Sequence, residues 1–162
     1  MLEPLPKVLR DIEDDGRRTK DIIAALETAN VAVFHKDIFA RCDELTPPPG
    51  TVYQFLGALC RELPKDIRSS ADQIFATAAR EYGSLRKPPL RSALLLMERM
   101  TQQRLYAEII VMNDVVTCHD GSEVLIALGR EDADGQSWVA AVGTDYDFPH
   151  DTELVLFLAP PS

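Results

Sequence analysis

The runs Val124-Leu125-Ile126-Ala127-Leu128 and Leu154-Val155-Leu156-Phe157-Leu158 decide how this chain is read. The first lies between CHDGS (118–122) and REDADGQS (130–137), and the second follows GTDYDFPHDT (143–152). Short stretches of branched apolar residues closed off by turn formers read as strands. Neither run alternates polar with apolar, so the sheet they build is expected to be covered on both faces. Ile109 to Met112 and Trp138 to Val142 complete a set of four such runs. The first of these also reads as the tail of a preceding helix, since a short apolar run does not fix its own period. The connections are short and favour an antiparallel meander, with Asp134-Gly135 as a hairpin turn. Helices are expected to cover one face of the sheet. The other face needs more helices or a second subunit, which points to a homo-oligomer.

Upstream of residue 104 the apolar spacing becomes helical. Leu5, Val8, Leu9 and Ile12 follow i, i+3, i+4, i+7, and the acidic run Glu13-Asp14-Asp15-Gly16 ends that pattern. Thr19 is placed to cap a helix burying Ile22, Ile23, Leu26 and Ala29. Val31-Ala32-Val33 fits a short strand or a crowded turn, and Phe34, Ile38, Cys42 and Leu45 mark another helix. Pro47-Pro48-Pro49-Gly50 stops it, and Thr51 with Gln54 forms a capping box predicting a helix over 51–63. Ile67, Ala71, Ile74, Ala78 and Tyr82 mark the next, closed by Gly83. Pro88-Pro89 opens the strongest one, with Leu90, Ala93, Leu94, Met97 and Met100 inward and Arg91, Glu98, Arg99 and Gln102 outward. The expected fold is therefore α+β in one domain over 1–162. An N-terminal layer of about five to six helices (1–103) precedes a C-terminal antiparallel sheet of about four strands (104–162).

The charge is as lopsided as the patterning. Of the net −9 on 162 residues, residues 1–103 contribute nothing, with 15 acidic and 15 basic side chains. Residues 104–162 carry 11 acidic residues against Arg104 and Arg130, which is the whole excess. An acidic surface repels phosphate backbones and anionic membranes and attracts basic proteins or divalent cations. Cys42, Cys60 and Cys118 are odd in number and lack C-x-x-C spacing, so a reducing compartment is expected. Cys42 and Cys60 read as small buried hydrophobes. MLEPLPKVLRDIEDD lacks the basic and apolar segments of a secretory signal, and no apolar run reaches the ~20 residues of a membrane span. A cytoplasmic location is expected.

No G-x-G-x-x-G, P-loop, G-x-S-x-G or H-E-x-x-H motif occurs. Asp132-Ala133-Asp134-Gly135 has the spacing of part of an EF-hand, but Arg130 and Ala141 then fall where oxygen ligands are required. The sharpest polar constellation is Cys118-His119-Asp120-Gly121 with Asp145, Asp147, His150 and Asp151. In a meander its two connections return to one end of the sheet, about 10 Å apart at ~4.8 Å per strand. His119, His150, Asp147 and Asp151 would then suit a divalent metal that activates water. Without metal, Asp120 could orient His119 as a general base, with Cys118 as nucleophile. His35 has no partner within sequence reach.

A helix-turn-helix reading of residues 19–63 places the reading helix at 51–63. Its outward residues, Gln54 and Arg61 against Glu62, give no basic stripe, which argues against nucleic acid. The reading expected from sequence is a small non-catalytic adaptor or regulator whose acidic loops, with Asp132, Asp134, Asp145 and Asp147, receive a basic protein partner. No resident cofactor is required by it. A small hydrolytic or metal-dependent enzyme built on His119, Asp120, His150 and Asp151 is the alternative, and a DNA-binding regulator the next.

Overall fold

The computed structural model describes residues 10–40, 48–59, 71–100, 109–117, 120–130, 136–143 and 154–159. Along the chain run β1 (Arg10–Glu13), α1 (Thr19–Thr28), β2 (Val31–Val33), α2 (Lys36–Ala40), β3 (Val52–Leu59) and α3 (Ala71–Tyr82). They are followed by α4 (Leu90–Met100), β4 (Ile109–Thr117), β5 (Glu123–Arg130), β6 (Ser137–Gly143) and β7 (Leu154–Leu158). All seven strands join one mixed sheet in the order β1-β3-β7-β4-β5-β6-β2.

This corrects the expected division into a helical layer of five to six helices and a four-stranded antiparallel sheet. Among the described residues there are four helices, and the first half of the chain contributes three strands. Residues 52–59 are a strand because their burial alternates. Tyr53 and Phe55 are buried while Val52 is exposed and Gln54 and Leu56 are intermediate, a two-residue period that suits aromatic side chains. The Thr51 hydroxyl, expected to cap a helix, instead donates to the Pro48 carbonyl at 2.7 Å. Ile12, expected on a helix, is likewise on β1, where exposed Asp11 and Glu13 flank it and pair with Gln54 and Val52 of β3. The remainder of that pattern, Leu5 to Leu9, lies outside the described residues. So do Cys42, Leu45, Cys60 and Ile67.

The four C-terminal runs are strands, but only three of them form the meander. β4, β5 and β6 pair antiparallel in sequence order, whereas β7 lies parallel to β4 and antiparallel to β3. β7 therefore sits between the N-terminal strands and the meander. β2 pairs parallel to β6 at the far edge, so α1 carries the chain from one edge of the sheet to the other.

Both faces of the central strands are covered, as their unbroken apolar runs require. On one face Ile109, Val111, Ile126, Leu128, Leu156 and Leu158 pack with Ile22 and Leu26 of α1 and Leu94 and Met97 of α4. On the other, Ile110, Met112, Leu125, Ala127, Val155 and Phe157 pack with Ala71, Ile74 and Ala78 of α3. The alternation of faces is intact; it is hidden in the sequence because both faces are apolar. The second cover is a helix of the same chain, so the sheet gives no ground of its own for a second subunit.

Two local devices hold the meander in register. The β4–β5 ladder shifts between Val111 and Val116, and the buried Asn113 side chain accepts the Ile126 N–H at 2.9 Å there. Where a bulge interrupts a ladder, such a side-chain acceptor satisfies a donor that is costly to leave buried and unpaired. Gly129 pairs with Trp138 across β5 and β6, and a Cβ at Gly129 would lie 2.3 Å from Trp138 Cζ2, closer than two such atoms can approach. The glycine is thus the space in which the indole lies. No helix among the described residues is long and apolar enough to cross a membrane.

Candidate functional site

Of the candidate catalytic, metal-binding and partner-binding residues expected from sequence, Asp120 is described. It is exposed, and its Oδ1 accepts from the Ser122 backbone N–H at 3.0 Å and the Ser122 hydroxyl at 2.6 Å, closing the turn into β5. Cys118, His119, Asp132, Asp134, Asp145, Asp147, His150 and Asp151 lie outside the described residues. The strands around them revise the expected geometry. Gly143 ends β6 level with Val116, through Val124, near the Thr117 end of β4. Leu154 begins β7 level with Ile109, at the opposite end of β4. The third connection therefore joins opposite ends of the sheet instead of returning to the end it left. Among the described residues, no three His, Cys, Asp or Glu side chains group as a metal site. Nor is there a reading helix over 52–59, which removes the expected basis for helix-turn-helix recognition.

Two polar arrangements in the structure were not anticipated. The first is a buried clasp. Arg91, expected on the wet face of α4, is 1 % exposed, and Asp14, just beyond β1, is fully buried. The guanidinium grips Asp14 with two hydrogen bonds, Nε to Oδ2 at 2.7 Å and Nη2 to Oδ1 at 2.8 Å. Arg91 Nη2 also donates to the Arg17 carbonyl at 2.7 Å, and Nη1 lies 3.5 Å from the Thr19 hydroxyl. Tyr53 Oη donates to Asp14 Oδ2 at 2.8 Å, and the Gly16 N–H to Oδ1 at 2.9 Å. Burial alone would raise the Asp14 carboxyl, but hydrogen bonds from Arg91, Gly16 and Tyr53 outweigh it and hold the group below its ordinary value. Burial and then the bond to Asp14 push the Tyr53 phenol up. These polar atoms point at one another and are buried, so the clasp ties β1, β3, α1 and α4 together. Its role is structural.

The second arrangement is at β2, which stands at one end of the sheet among the described strands. Phe34 N–H donates to Val139 O at 2.8 Å. Because backbone groups alternate sides along a strand, Ala32 shares that side with Phe34, and Val31 and Val33 turn their N–H and C=O groups away from β6. The side chains of Val31 and Val33 are buried in the core. Beside the strand is a groove of about 320 Å³ lined by Glu27, Asn30, Val31, Ala32, Val33, Lys36 and Gln136. Lys36 Nζ and Glu27 Oε1 form an exposed ion pair at its border. Phe34, 53 % exposed, stands at the end of the strand.

The backbone is left-handed on either side of this strand, at Asn30 (φ 65°) and His35 (φ 58°). They are the non-glycine residues with positive φ among the described residues, and such conformations cost about 1–3 kcal/mol each unless the surroundings impose them. His35 Nδ1 accepts the Ala141 N–H at 3.4 Å, so the imidazole continues along β6 where β2 has ended. Sequence reading found the VAV segment but not its edge position. That position depends on pairing with residues more than 100 positions away.

In comparisons with known proteins, no family model, no curated protein and no solved structure matches this chain.

Proposed function

We propose that this protein is a non-catalytic interaction module whose acidic part receives a basic protein partner. The observation that supports the reading is the partition of charge. The entire net charge of −9 falls in residues 104–162, which supply β7, β4, β5 and β6 as one contiguous block of the sheet. The apolar residues of that block are consumed by the two cores, while Asp120 and Glu123 are exposed where the chain enters β5. Charge of one sign gathered in this way speeds encounter with an oppositely charged partner and disfavours wrong ones.

The test is titration of the full chain with a lysine-rich peptide and its glutamate-rich counterpart, followed by fluorescence anisotropy. The lysine peptide is expected to bind, with affinity falling at least about tenfold between roughly 20 and 200 mM salt. Replacing Asp132, Asp134, Asp145 and Asp147 together by Asn is expected to weaken it further. Equal behaviour of the two peptides, or an affinity indifferent to both salt and the four substitutions, would overturn the proposal.

A further inference from the structure

We infer that the buried clasp is a register lock: the bonds of Asp14 to Arg91 and Tyr53 select which residues of β1 stand opposite which residues of β3. No turn sets that pairing. β1 and β3 are antiparallel neighbours, yet α1, β2 and α2 lie between them in the chain, so their offset is not fixed as it is in a hairpin. β1 reads Arg-Asp-Ile-Glu, and Ile12 is its one apolar residue.

A slip of one residue is ruled out by patterning, since it would turn buried Ile12 outward and an exposed carboxylate inward. A slip of two residues is not. It keeps Ile12 on the core face, opposite Phe55 or Thr51 instead of Tyr53, and leaves Asp11 and Glu13 outside. What separates these offsets is Asp14, buried on the same side as Ile12. Two residues of strand measure about 7 Å. The side-chain bonds of Asp14, at 2.7 to 2.9 Å, do not survive a displacement of that size.

The chemistry of the clasp fits selection better than strength. The carboxylate accepts four hydrogen bonds, from the Gly16 N–H and Arg91 Nη2 on Oδ1 and from Tyr53 Oη and Arg91 Nε on Oδ2, which fills its capacity. A buried ion pair replaced by apolar residues of similar volume often leaves stability unchanged or raised, whereas one broken from a single side is strongly destabilising. A slipped register is such a break, because it parts Asp14 from a guanidinium that stays buried on α4. The backbone repeats the alignment beyond the strand, where the Asp14 N–H donates to Thr51 O at 2.7 Å and the Gly50 N–H to Asp14 O at 2.8 Å.

The experiment compares NMR spectra of the isotope-labelled full chain with those of Asp14→Leu/Tyr53→Phe/Arg91→Met, which strips the clasp of its charges and hydroxyl but keeps its bulk. Because Asp14 bonds to Thr51 through the backbone, alternation makes Asp11–Gln54 and Glu13–Val52 the close, non-hydrogen-bonded pairs. Their Hα–Hα contacts report the register. The wild type is expected to show these contacts and one set of amide signals. The triple variant should melt within about 5 °C of the wild type. Its amides from Asp11 to Glu13 and from Val52 to Phe55 should nevertheless give a second set of signals, with a Glu13–Gln54 or Asp11–Val52 contact. Tyr53→Phe alone keeps the ion pair and should show one set.

A folded triple variant with one set of signals and the Asp11–Gln54 contact intact overturns the lock, because the register is then set without the clasp. A second set of signals in Tyr53→Phe overturns it too, since the ion pair then fails to hold the alignment. Should the triple variant not fold, Asp14→Asn/Arg91→Met removes the charges alone and is read in the same way. Two registers in that variant support the lock, and a single native register overturns it.

Discussion

Replacing Arg91 by Met removes the cationic half of the buried clasp while keeping a long, flexible side chain in the core of α4. Asp14 is fully buried, and after the substitution it retains only Tyr53 Oη and the Gly16 N–H as donors. Breaking a buried pair from one side typically costs 3–5 kcal/mol because a charge is stranded in a poorly solvating site, so about 4 kcal/mol is expected at neutral pH. For a chain of this size that lowers the melting midpoint by roughly 8–16 °C. Urea titration with the m-value checked gives the free energy directly.

The pH dependence identifies the cause. In the wild type the Asp14 carboxyl is held below its ordinary value, so its stabilisation is present above the unfolded value of about 3.9. It is lost as pH falls through the lower folded value. In Arg91→Met, burial without the guanidinium raises the folded value above the unfolded one. That penalty is full at neutral pH and relaxes as the carboxyl takes up a proton. The gap between the two proteins should therefore narrow steadily from pH 7 towards pH 4. The double variant Asp14→Asn/Arg91→Met should be less damaged than the sum of the single ones by about 2 kcal/mol. A gap under about 1 kcal/mol, constant with pH and additive in the double variant, would refute the electrostatic reasoning.

Tyr53→Phe should cost about 1–2 kcal/mol at neutral pH by removing one donor to Asp14. Because the phenol is raised in the folded state, wild-type stability should fall as pH climbs above about 10 while the Phe variant lacks that decline, which urea melts from pH 8 to 11 can follow. Gly129→Val places side-chain atoms where the Trp138 indole lies and should destabilise by about 1–3 kcal/mol. The emission of Trp138, the only tryptophan, should change with it. Arg17→Gln breaks the pairs with Glu98 and Asp15, and with all three side chains about a third exposed or more, the loss should stay within about 1 kcal/mol and shrink at high salt.

The contrast between Phe55 and Phe157 shows what the sequence made legible. Phe157 sits in a run read as a strand covered on both faces, and it proves to be one. Phe55 follows a capping-box spacing whose local signal was helical, and pairing with β1 and β7 overrode it. Capping contributes only about a kcal/mol, less than two aromatic side chains gain by entering the core. Ile74 and Ala78 on α3, and Leu94 and Met97 on α4, were correctly read inward from their spacing. Gly83 closes α3 with φ 98° as expected.

Arg91 was misread because a lone arginine in a helix has the outward face as its default. Its burial depends on Asp14, 77 residues earlier, and nothing near either residue announces the pair. The β2 edge was hidden for the same reason. That a strand has one neighbour or two is a property of the sheet, not of its own residues.

The position of β7 between β3 and β4 also has a consequence for the order in which the molecule can be completed during synthesis. β1 and β3 are made before β7, the other neighbour of β3 in the sheet, which comes last of the seven described strands. Until Leu154–Leu158 arrive, the nascent chain holds two separate half-sheets, each with a bare hydrogen-bonding flank where β7 belongs. Such flanks are open to mispairing and to capture by chaperones. Closing the sheet joins residues about 100 positions apart, a long-range step that slows folding. A stop codon or protease cut just ahead of Leu154 would thus do more than shorten the protein by one strand; it would remove the segment that makes two half-sheets into one.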